Sequence, residues 1–216
     1  MTVEVPNALA ERYASAEMKS IWTASGKVML EREFWIAVMK AQQELGVEIE
    51  PGAITNSEKV KAVVDLESIR QREQVTKHDV KARLEEFAAK SGHQHAHKGM
   101  TSRDLTENVE QLQVHRSLVV ILEKCIAALI ALSDKAKQYK ELPVTARSHN
   151  VPAQLTTLGK RFANWGEELE RCVESLSRLC ANYPYRGLKG AVGTCLDQIT
   201  LLGSPKKAAD LDRRVM

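Results

Sequence analysis

Two long stretches of this chain carry apolar residues at alternating steps of three and four. The second stretch is the more regular: Leu155, Leu158, Phe162, Trp165, Leu169, Cys172, Leu176 and Leu179. The first covers residues 103–140 and keeps the spacing for most of its length. This heptad pattern is typical of helices that pack side by side. One antiparallel pair cannot bury both seams, so the pattern predicts a larger helical bundle, completed by more chain or by other subunits.

Helical periodicity continues through most of the remaining chain. A helix is predicted over residues 27–45, followed by Gly46, and another between a Thr-x-x-Asp capping box at 76–79 and Gly92. A second capping box at 101–104 precedes the first long stretch, and Pro152 suits the first turn of the last long helix, after a loop over 144–151.

The predicted fold class is therefore all-α. We expect an N-terminal helical domain over residues 1–100, followed by the first part of a long-helix bundle over residues 101–216. Because the final helical segment reads as cut off partway, the bundle is expected to be truncated, with the rest of that domain and any C-terminal domain outside this chain.

Composition argues against several classes of function. The 31 Lys and Arg nearly balance the 28 Asp and Glu, with no dense basic block, so nucleic acid is not an expected partner. No run of eighteen apolar residues predicts a membrane span, and residues 1–6 do not read as part of a signal peptide. The four cysteines form no C-x-x-C pair and are expected to be reduced thiols. We predict a cytoplasmic protein.

The polar residues between the helices are the candidates for chemistry. Thr101 and Ser102 stand at a predicted helix start, where free N–H groups favour a carboxylate or phosphate, although a simple N-cap is the commoner role for such residues. His149 lies in a loop between two long helices and is either an acid–base group or a helix-capping or core histidine. His93, His95 and His97 alternate without a further ligand at standard spacing, so no metal site is expected.

Six motifs in chain order resemble those of the adenylosuccinate lyases, within the fumarase/aspartase superfamily. They are NALAERYAS at 7–15, KHDV at 77–80, HKGMTSRD at 97–104, RSHN at 147–150, AQLTTLGKR at 153–161 and KGAVGT at 189–194. The resemblance covers nearly the whole chain, and its wording is most similar to the bacterial, actinobacterial-type branch. Two departures are Ser148 and Asn150, where many members carry Thr and Gly, and the glutamine that often follows the loop histidine has no clear counterpart.

The resemblance implies a role for each matching residue. Arg12 and Tyr13 would hold the nucleotide phosphate, and His78 and Asp79 would position the substrate. Thr101 and Ser102 would bind a succinyl carboxylate, and His149 would be the general acid that protonates the leaving nitrogen. The same motifs make His97, Gln154 and Lys189 further candidates for substrate binding. No cofactor is implied.

The implied reaction is a β-elimination that releases fumarate from adenylosuccinate, and from the succinylated imidazole carboxamide ribotide, in purine biosynthesis. Hydrogen-bond donors around the neighbouring carboxylate stabilise the carbanion that forms. The family's base is a serine on a loop in the second half of the protein, and its active sites are assembled within a homotetramer. We therefore expect this chain alone to be inactive.

Two alternatives remain open at this point. A sister lyase, such as an argininosuccinate lyase, shares the fold and the Thr-Ser element. A helical scaffold without catalysis also fits the heptad seams, but it leaves the polar motifs unexplained.

Overall fold

The computed structural model describes residues 7–216. Within them the chain forms ten helices and one antiparallel pair of strands. The helices are α1 Ala8–Tyr13, α2 Ala16–Trp22, α3 Ala24–Glu44, α4 Ala53–Val60, α5 Leu66–Thr76, α6 Asp79–Ser91, α7 Ser102–Gln138, α8 Leu158–Ala181, α9 Leu196–Leu202 and α10 Pro205–Val215. The strands are β1 Pro143–Ser148 and β2 Val151–Thr157. The all-α fold class is confirmed, and none of the helices described is long and apolar enough to cross a membrane.

The described chain divides into two compact units. One comprises residues 7–114 and 184–216, and the other comprises residues 115–183. The predicted boundary at residue 100 does not coincide with this division, because the start of α7 packs with the N-terminal helices. The assignment of residues 1–100 and 101–216 to two domains stays a prediction.

The first unit has its apolar core around α3. Trp35 is fully buried, and its ring stacks on that of Phe87 from α6, with 5.9 Å between the centroids. Leu105 near the start of α7 and Leu211 of α10 are also fully buried in this cluster. Burial of side chains of this size contributes about 1.5–3 kcal/mol each, so this cluster is the main stabilising feature of the unit.

A buried ion pair between Arg32 and Glu86 joins α3 to α6. The Arg32 guanidinium also donates to the carbonyl oxygens of Val60, Lys61 and Val63 at distances of 2.9–3.1 Å. These carbonyls lie at and just after the end of α4, where the helical hydrogen-bond ladder stops, and one buried side chain donates to all three. The pair therefore fixes α4 and α6 on α3.

The start of α6 differs from the prediction. Thr76 is the last residue of α5, and Lys77 follows in a left-handed conformation, so Thr76 does not cap α6. His78 is the N-cap instead, and its ring Nδ1 accepts from the Lys81 N–H at 3.3 Å. The capping box at 76–79 was therefore wrong, because α5 continues through the predicted cap. The end of α6 at Gly92, which has φ 77°, is confirmed.

The second unit contains the C-terminal part of α7, a β-hairpin and α8. Residues 144–151 were predicted as a loop and Pro152 as the first turn of a helix, but both lie in or beside the hairpin. Ser148 pairs with Val151, and the two residues between them, His149 and Asn150, have φ 49° and 64°. A two-residue turn with both φ positive matches the twist of a hairpin.

The position of α8 follows from this hairpin. The helix begins at Leu158 and not near Pro152, so Leu155 of the predicted seam lies on β2, where it is 79% exposed. From Leu158 onward the predicted helix is confirmed. A proline is tolerated in this sheet because each of its two strands is an edge strand.

Two glycines of α8 offer a matched test of packing in the second unit. A Cβ on Gly159 would stand 2.4 Å from the carbonyl oxygen of Ala136, whereas one on Gly166 would meet only side-chain atoms, at 3.7 Å or more. We expect Gly159→Ala to lower the free energy of unfolding by about 1–3 kcal/mol through overpacking. Gly166→Ala should raise it by about 0.5–1 kcal/mol through helix propensity. Chemical denaturation of both variants checks this, and equal effects would contradict the packing.

Candidate functional site

The starts of two helices meet at His78 and Ser102. The His78 Nε2 lies 3.2 Å from the Ser102 Oγ, although 24 residues separate them in the chain. His78 caps α6, and Ser102 is the first residue of α7. Both helix starts carry free N–H groups and the positive end of the helix dipole. The structure therefore brings together two motifs that the sequence marked separately.

The hydrogen bonds of His78 define its tautomer. Its Nδ1 accepts from the Lys81 N–H, so in the neutral ring the proton is on Nε2. Nε2 then donates to the Ser102 Oγ. Because the Ser102 oxygen acts as acceptor, its own hydroxyl proton is free to be donated to a ligand. This arrangement suits an anion.

Asp79 is held beside His78 by Arg83. The Arg83 Nη2 donates to Asp79 Oδ2 at 2.8 Å, and Asp79 Oδ1 lies 3.6 Å from the His78 Nδ1. Burial alone would raise the pKa of Asp79, but hydrogen bonds from Arg83 and the Val80 N–H hold it below its usual value. Asp79 is therefore a carboxylate at neutral pH, paired with Arg83.

Thr101, which directly precedes Ser102, is held in place by a hydrogen bond from its backbone. Its N–H donates to Asp104 Oδ2 at 3.0 Å, which is the reciprocal half of the capping box predicted at 101–104. This bond fixes the backbone immediately before Ser102. Thr101 itself is half-buried.

His97 is half-buried against Trp35 of the core. The Trp35 Nε1 donates to its Nδ1 at 3.0 Å, and the backbone of His97 has a left-handed φ of 67°. Burial lowers the pKa of His97 against the opposing charge of Asp104. His97 is therefore neutral near pH 7, with its proton on Nε2.

His93 and His95 lie apart from His97 and contact the loop before α4. The His93 Nδ1 is 2.8 Å from the Glu50 carboxylate, and the His95 Nδ1 is 2.8 Å from the Lys98 Nζ. Over residues 7–216 no group of three metal-ligating side chains is arranged to hold an ion. These contacts attach the histidine loop to its neighbours.

Asp104 connects the Thr101–Ser102 segment to the glycine-rich loop that carries Lys189. It is fully buried and forms an ion pair with Arg186. Its carboxylate also accepts from the N–H groups of Lys189 and Gly190 at 2.9–3.2 Å. The backbone of Lys189 is thus held at the start of α7. In the sequence Asp104 belongs to the capping box at 101–104 and to the HKGMTSRD motif at 97–104, but neither signal predicts its contact with the glycine-rich loop.

Two buried glutamines, which sequence reasoning missed, support the chain just before Thr101. The Gln198 Nε2 donates to the carbonyl oxygens of Lys98 and Gly99, at 3.1 and 2.8 Å. The Gln42 Nε2 donates to the same Lys98 oxygen at 2.9 Å. Neither residue belongs to a motif, so only the tertiary contacts reveal this support.

Arg12 and Tyr13 lie at the end of α1 and are exposed, Tyr13 by 77%. They are not among the partners that the described structure gives to His78 or Ser102. The Lys19 Nζ donates to the backbone carbonyl oxygen of Glu11 at 3.1 Å and connects α1 to α2. A role for Arg12 and Tyr13 in phosphate binding stays a prediction.

His149 occupies the tip of the hairpin in the second unit and is exposed. The Arg147 Nη1 donates to the Asn150 oxygen across the turn, at 3.0 Å, and stabilises the left-handed pair. Gln154 lies on β2 beside a groove of about 310 Å³ that Lys160 and Arg161 also line. The hairpin thus presents His149 and Gln154 to solvent.

The chain resembles known lyases in sequence. Residues 8–199 match the family model described as a lyase. An adenylosuccinate lyase of Schistosoma mansoni is 34% identical over 214 residues, which are 97% of this chain and 44% of the relative. One from Saccharomyces cerevisiae is 32% identical, over 96% of this chain and 44% of the relative. The chain therefore spans less than half the length of the curated relatives it matches.

Solved structures share the fold. A fumarate lyase from Mesorhizobium sp. BNC1 superposes with a TM-score of 0.77 at 22% identity, over 94% of this chain and 47% of that one. A 3-carboxy-cis,cis-muconate lactonizing enzyme from Pseudomonas putida has a TM-score of 0.80 at 18% identity, over 97% of this chain and 49% of that one. At these identities the likeness shows the fold alone.

Asp104→Asn tests the anchoring of the glycine-rich loop. The variant removes the charge that Arg186 and the N–H groups of Lys189 and Gly190 share, so we expect the free energy of unfolding to fall by about 3 kcal/mol. Amide hydrogen exchange at Lys189 and Gly190 should accelerate more than the global loss explains. Asp197→Asn, at an exposed aspartate of α9, is the matched control. Unchanged exchange at both amides would contradict the anchoring role.

Glu31 gives the first unit a characteristic pH dependence. Burial raises its pKa from 4.5 to about 7, against the opposing charges of Arg83 and Lys27. The folded state therefore holds the proton more tightly than the unfolded state. The free energy of unfolding falls as pH rises from about 4.5 to about 7. We expect a loss of about 3 kcal/mol in the wild type, absent in Glu31→Gln. Urea unfolding at several pH values checks this, with the exposed Glu44→Gln as control. If the free energy of unfolding of Glu31→Gln changed with pH as it does in the wild type, the assignment to Glu31 would be refuted.

Proposed function

Because this chain belongs to the lyase family whose model it matches over residues 8–199, within the fumarase/aspartase superfamily, we propose that the complete protein is an adenylosuccinate lyase. It would eliminate fumarate from adenylosuccinate to give AMP. The succinylated imidazole carboxamide ribotide is the second proposed substrate, and both reactions place it in purine biosynthesis. No cofactor is required for this chemistry.

The contact between His78 and Ser102 carries the proposal. It joins two helix starts and leaves the Ser102 hydroxyl free to donate, with the Thr101 backbone fixed by Asp104. A carboxylate of the succinyl group fits such a cluster of donors. Abstraction of the neighbouring carbon-bound proton moves negative charge onto that carboxylate, so donors already in place stabilise the transition state.

The remaining steps need an acid and a base. We propose His149 as the acid, because its imidazole is exposed at a hydrogen-bonded turn and can give a proton to the leaving nitrogen. The base is assigned to the part of the protein beyond these 216 residues, so the chain alone is expected to release no fumarate at an ordinary enzymatic rate.

Phosphate binding and assembly complete the proposal. Arg12 and Tyr13 are proposed to bind the nucleotide phosphate, with His97, Gln154 and Lys189 as further substrate contacts. The exposed apolar residues Trp165 and Leu179 on the seam of α8, 52% and 46% exposed, favour a homotetramer assembled through the long helices. A cytoplasmic location fits a purine-pathway enzyme.

A sister lyase is the second candidate, because the solved structures with this fold include other chemistries. Assays with argininosuccinate and with adenylosuccinate separate the two. A scaffold without catalysis would show activity with neither.

His149→Ala in the complete protein tests the acid. We expect kcat for fumarate release to fall about a thousandfold or more, because the leaving nitrogen would depart unprotonated. Asn150→Gly is the control, since glycine suits the left-handed turn and leaves the imidazole in place. Partial rescue of His149→Ala by added imidazole would identify proton transfer as the lost function. Full activity of His149→Ala would refute the assignment.

A further inference from the structure

Glu31 of α3 is a buried carboxylate without a hydrogen-bond partner. Its side chain is fully buried, and within the described part of the chain no donor is aligned with either oxygen. The Arg83 Nε lies 2.7 Å from Oε2, but the N–H does not point at the oxygen. The contact is therefore one of charge, and the negative charge of Glu31 is only partly compensated.

Arg83 carries this charge contact towards the candidate site. Its side chain is 13% exposed and lies between two carboxylates, with Glu31 at Nε and Asp79 at Nη2. Asp79 directly follows His78, whose Nε2 contacts Ser102. A continuous series of charged and polar groups thus runs from the core at Glu31 to the two helix starts.

We propose that Glu31 and Arg83 are positioning residues of this site, and that the charge of Glu31, transmitted through Arg83, sets the affinity of the His78–Ser102 cluster for an anionic substrate. Neither residue touches the ligand. Arg83 holds Asp79 beside His78, and Glu31 determines how much positive charge Arg83 contributes. The identity of the anion as the succinyl carboxylate rests on the proposed function.

The electrostatic balance explains the effect. With Glu31 ionised, the charges of Glu31, Arg83 and Asp79 sum to −1, and with Glu31 protonated they sum to zero. The other charges that face Glu31 are Lys27 and Arg32 on its own helix, and Arg32 is paired with Glu86. Burial raises the pKa of Glu31 to about 7, so both forms are populated near neutrality. An anion at Ser102 is expected to bind more tightly to the protonated form.

The first experiment measures the coupling between Glu31 and Arg83 in the 216-residue chain. We expect the ¹Hε–¹⁵Nε resonance of Arg83 to move with pH, with a midpoint near that of Glu31. This movement should disappear in Glu31→Gln and persist in Glu44→Gln, which removes an exposed carboxylate from the same helix. An Arg83 resonance that does not respond to pH in the wild type would overturn the proposal.

The second experiment measures KM for adenylosuccinate in the complete protein. At about pH 8.5 we expect Glu31→Gln to lower KM about threefold to tenfold, with kcat nearly unchanged, because one negative charge is removed near the anion. At about pH 6 the two proteins should have equal KM, because Glu31 is then protonated in the wild type. The ratio of the KM of Glu31→Gln to the KM of the wild type, taken at the same pH, cancels the titration of groups that the two proteins share, including the substrate. A ratio independent of pH would overturn the proposal.

Arg83→Gln provides a further check on the route of coupling. Without Arg83, burial raises the pKa of Glu31 further, so adding Glu31→Gln in that background should change KM much less than it does in the wild type. An undiminished effect of Glu31→Gln there would contradict transmission through Arg83.

If the complete wild-type protein converts no substrate, the proposed function fails by itself. The coupling is then measured through the Kd for fumarate, which is a dianion at both pH values. Glu31→Gln should lower this Kd at about pH 8.5 and leave it equal to that of the wild type at about pH 6.

Discussion

The buried carboxylate of Asp104 is the group on which the candidate site depends. It accepts hydrogen bonds from the backbone before Ser102 and from the glycine-rich loop around Gly190, two segments that are distant in the chain. A buried charge is tolerated only when donors surround it, and here Arg186 and several N–H groups do so. The requirement to satisfy one carboxylate therefore determines where two otherwise irregular segments lie.

A second buried carboxylate behaves in the opposite way. Glu31 has a charge contact with Arg83 but no aligned donor, so burial shifts its pKa towards neutrality. The fold thus contains one acidic group whose hydrogen bonds organise the site and another whose charge is left partly uncompensated. In the proposed coupling, the charge of Glu31 acts on the environment of His78 through Arg83 and Asp79.

The sequence predicted the helices whose apolar period is long, such as α3 and α7, and the pairing of polar motifs with helix starts. It failed where local signals competed. Thr76 has the chemistry of an N-cap, but the helix before it continues through that position. Pro152 suits a first helical turn, but the left-handed pair His149–Asn150 closes a hairpin that places this proline on an edge strand.

Periodicity, capping residues and motif order are local properties, so the sequence alone determined the helical class, the candidate residues and the resemblance to a lyase family. The contact between His78 and Ser102, the loop anchor at Asp104 and the support from Gln42 and Gln198 were decided by tertiary structure. These contacts join residues far apart in the chain, and they form because buried polar groups must find partners once the apolar core around Trp35 has excluded water.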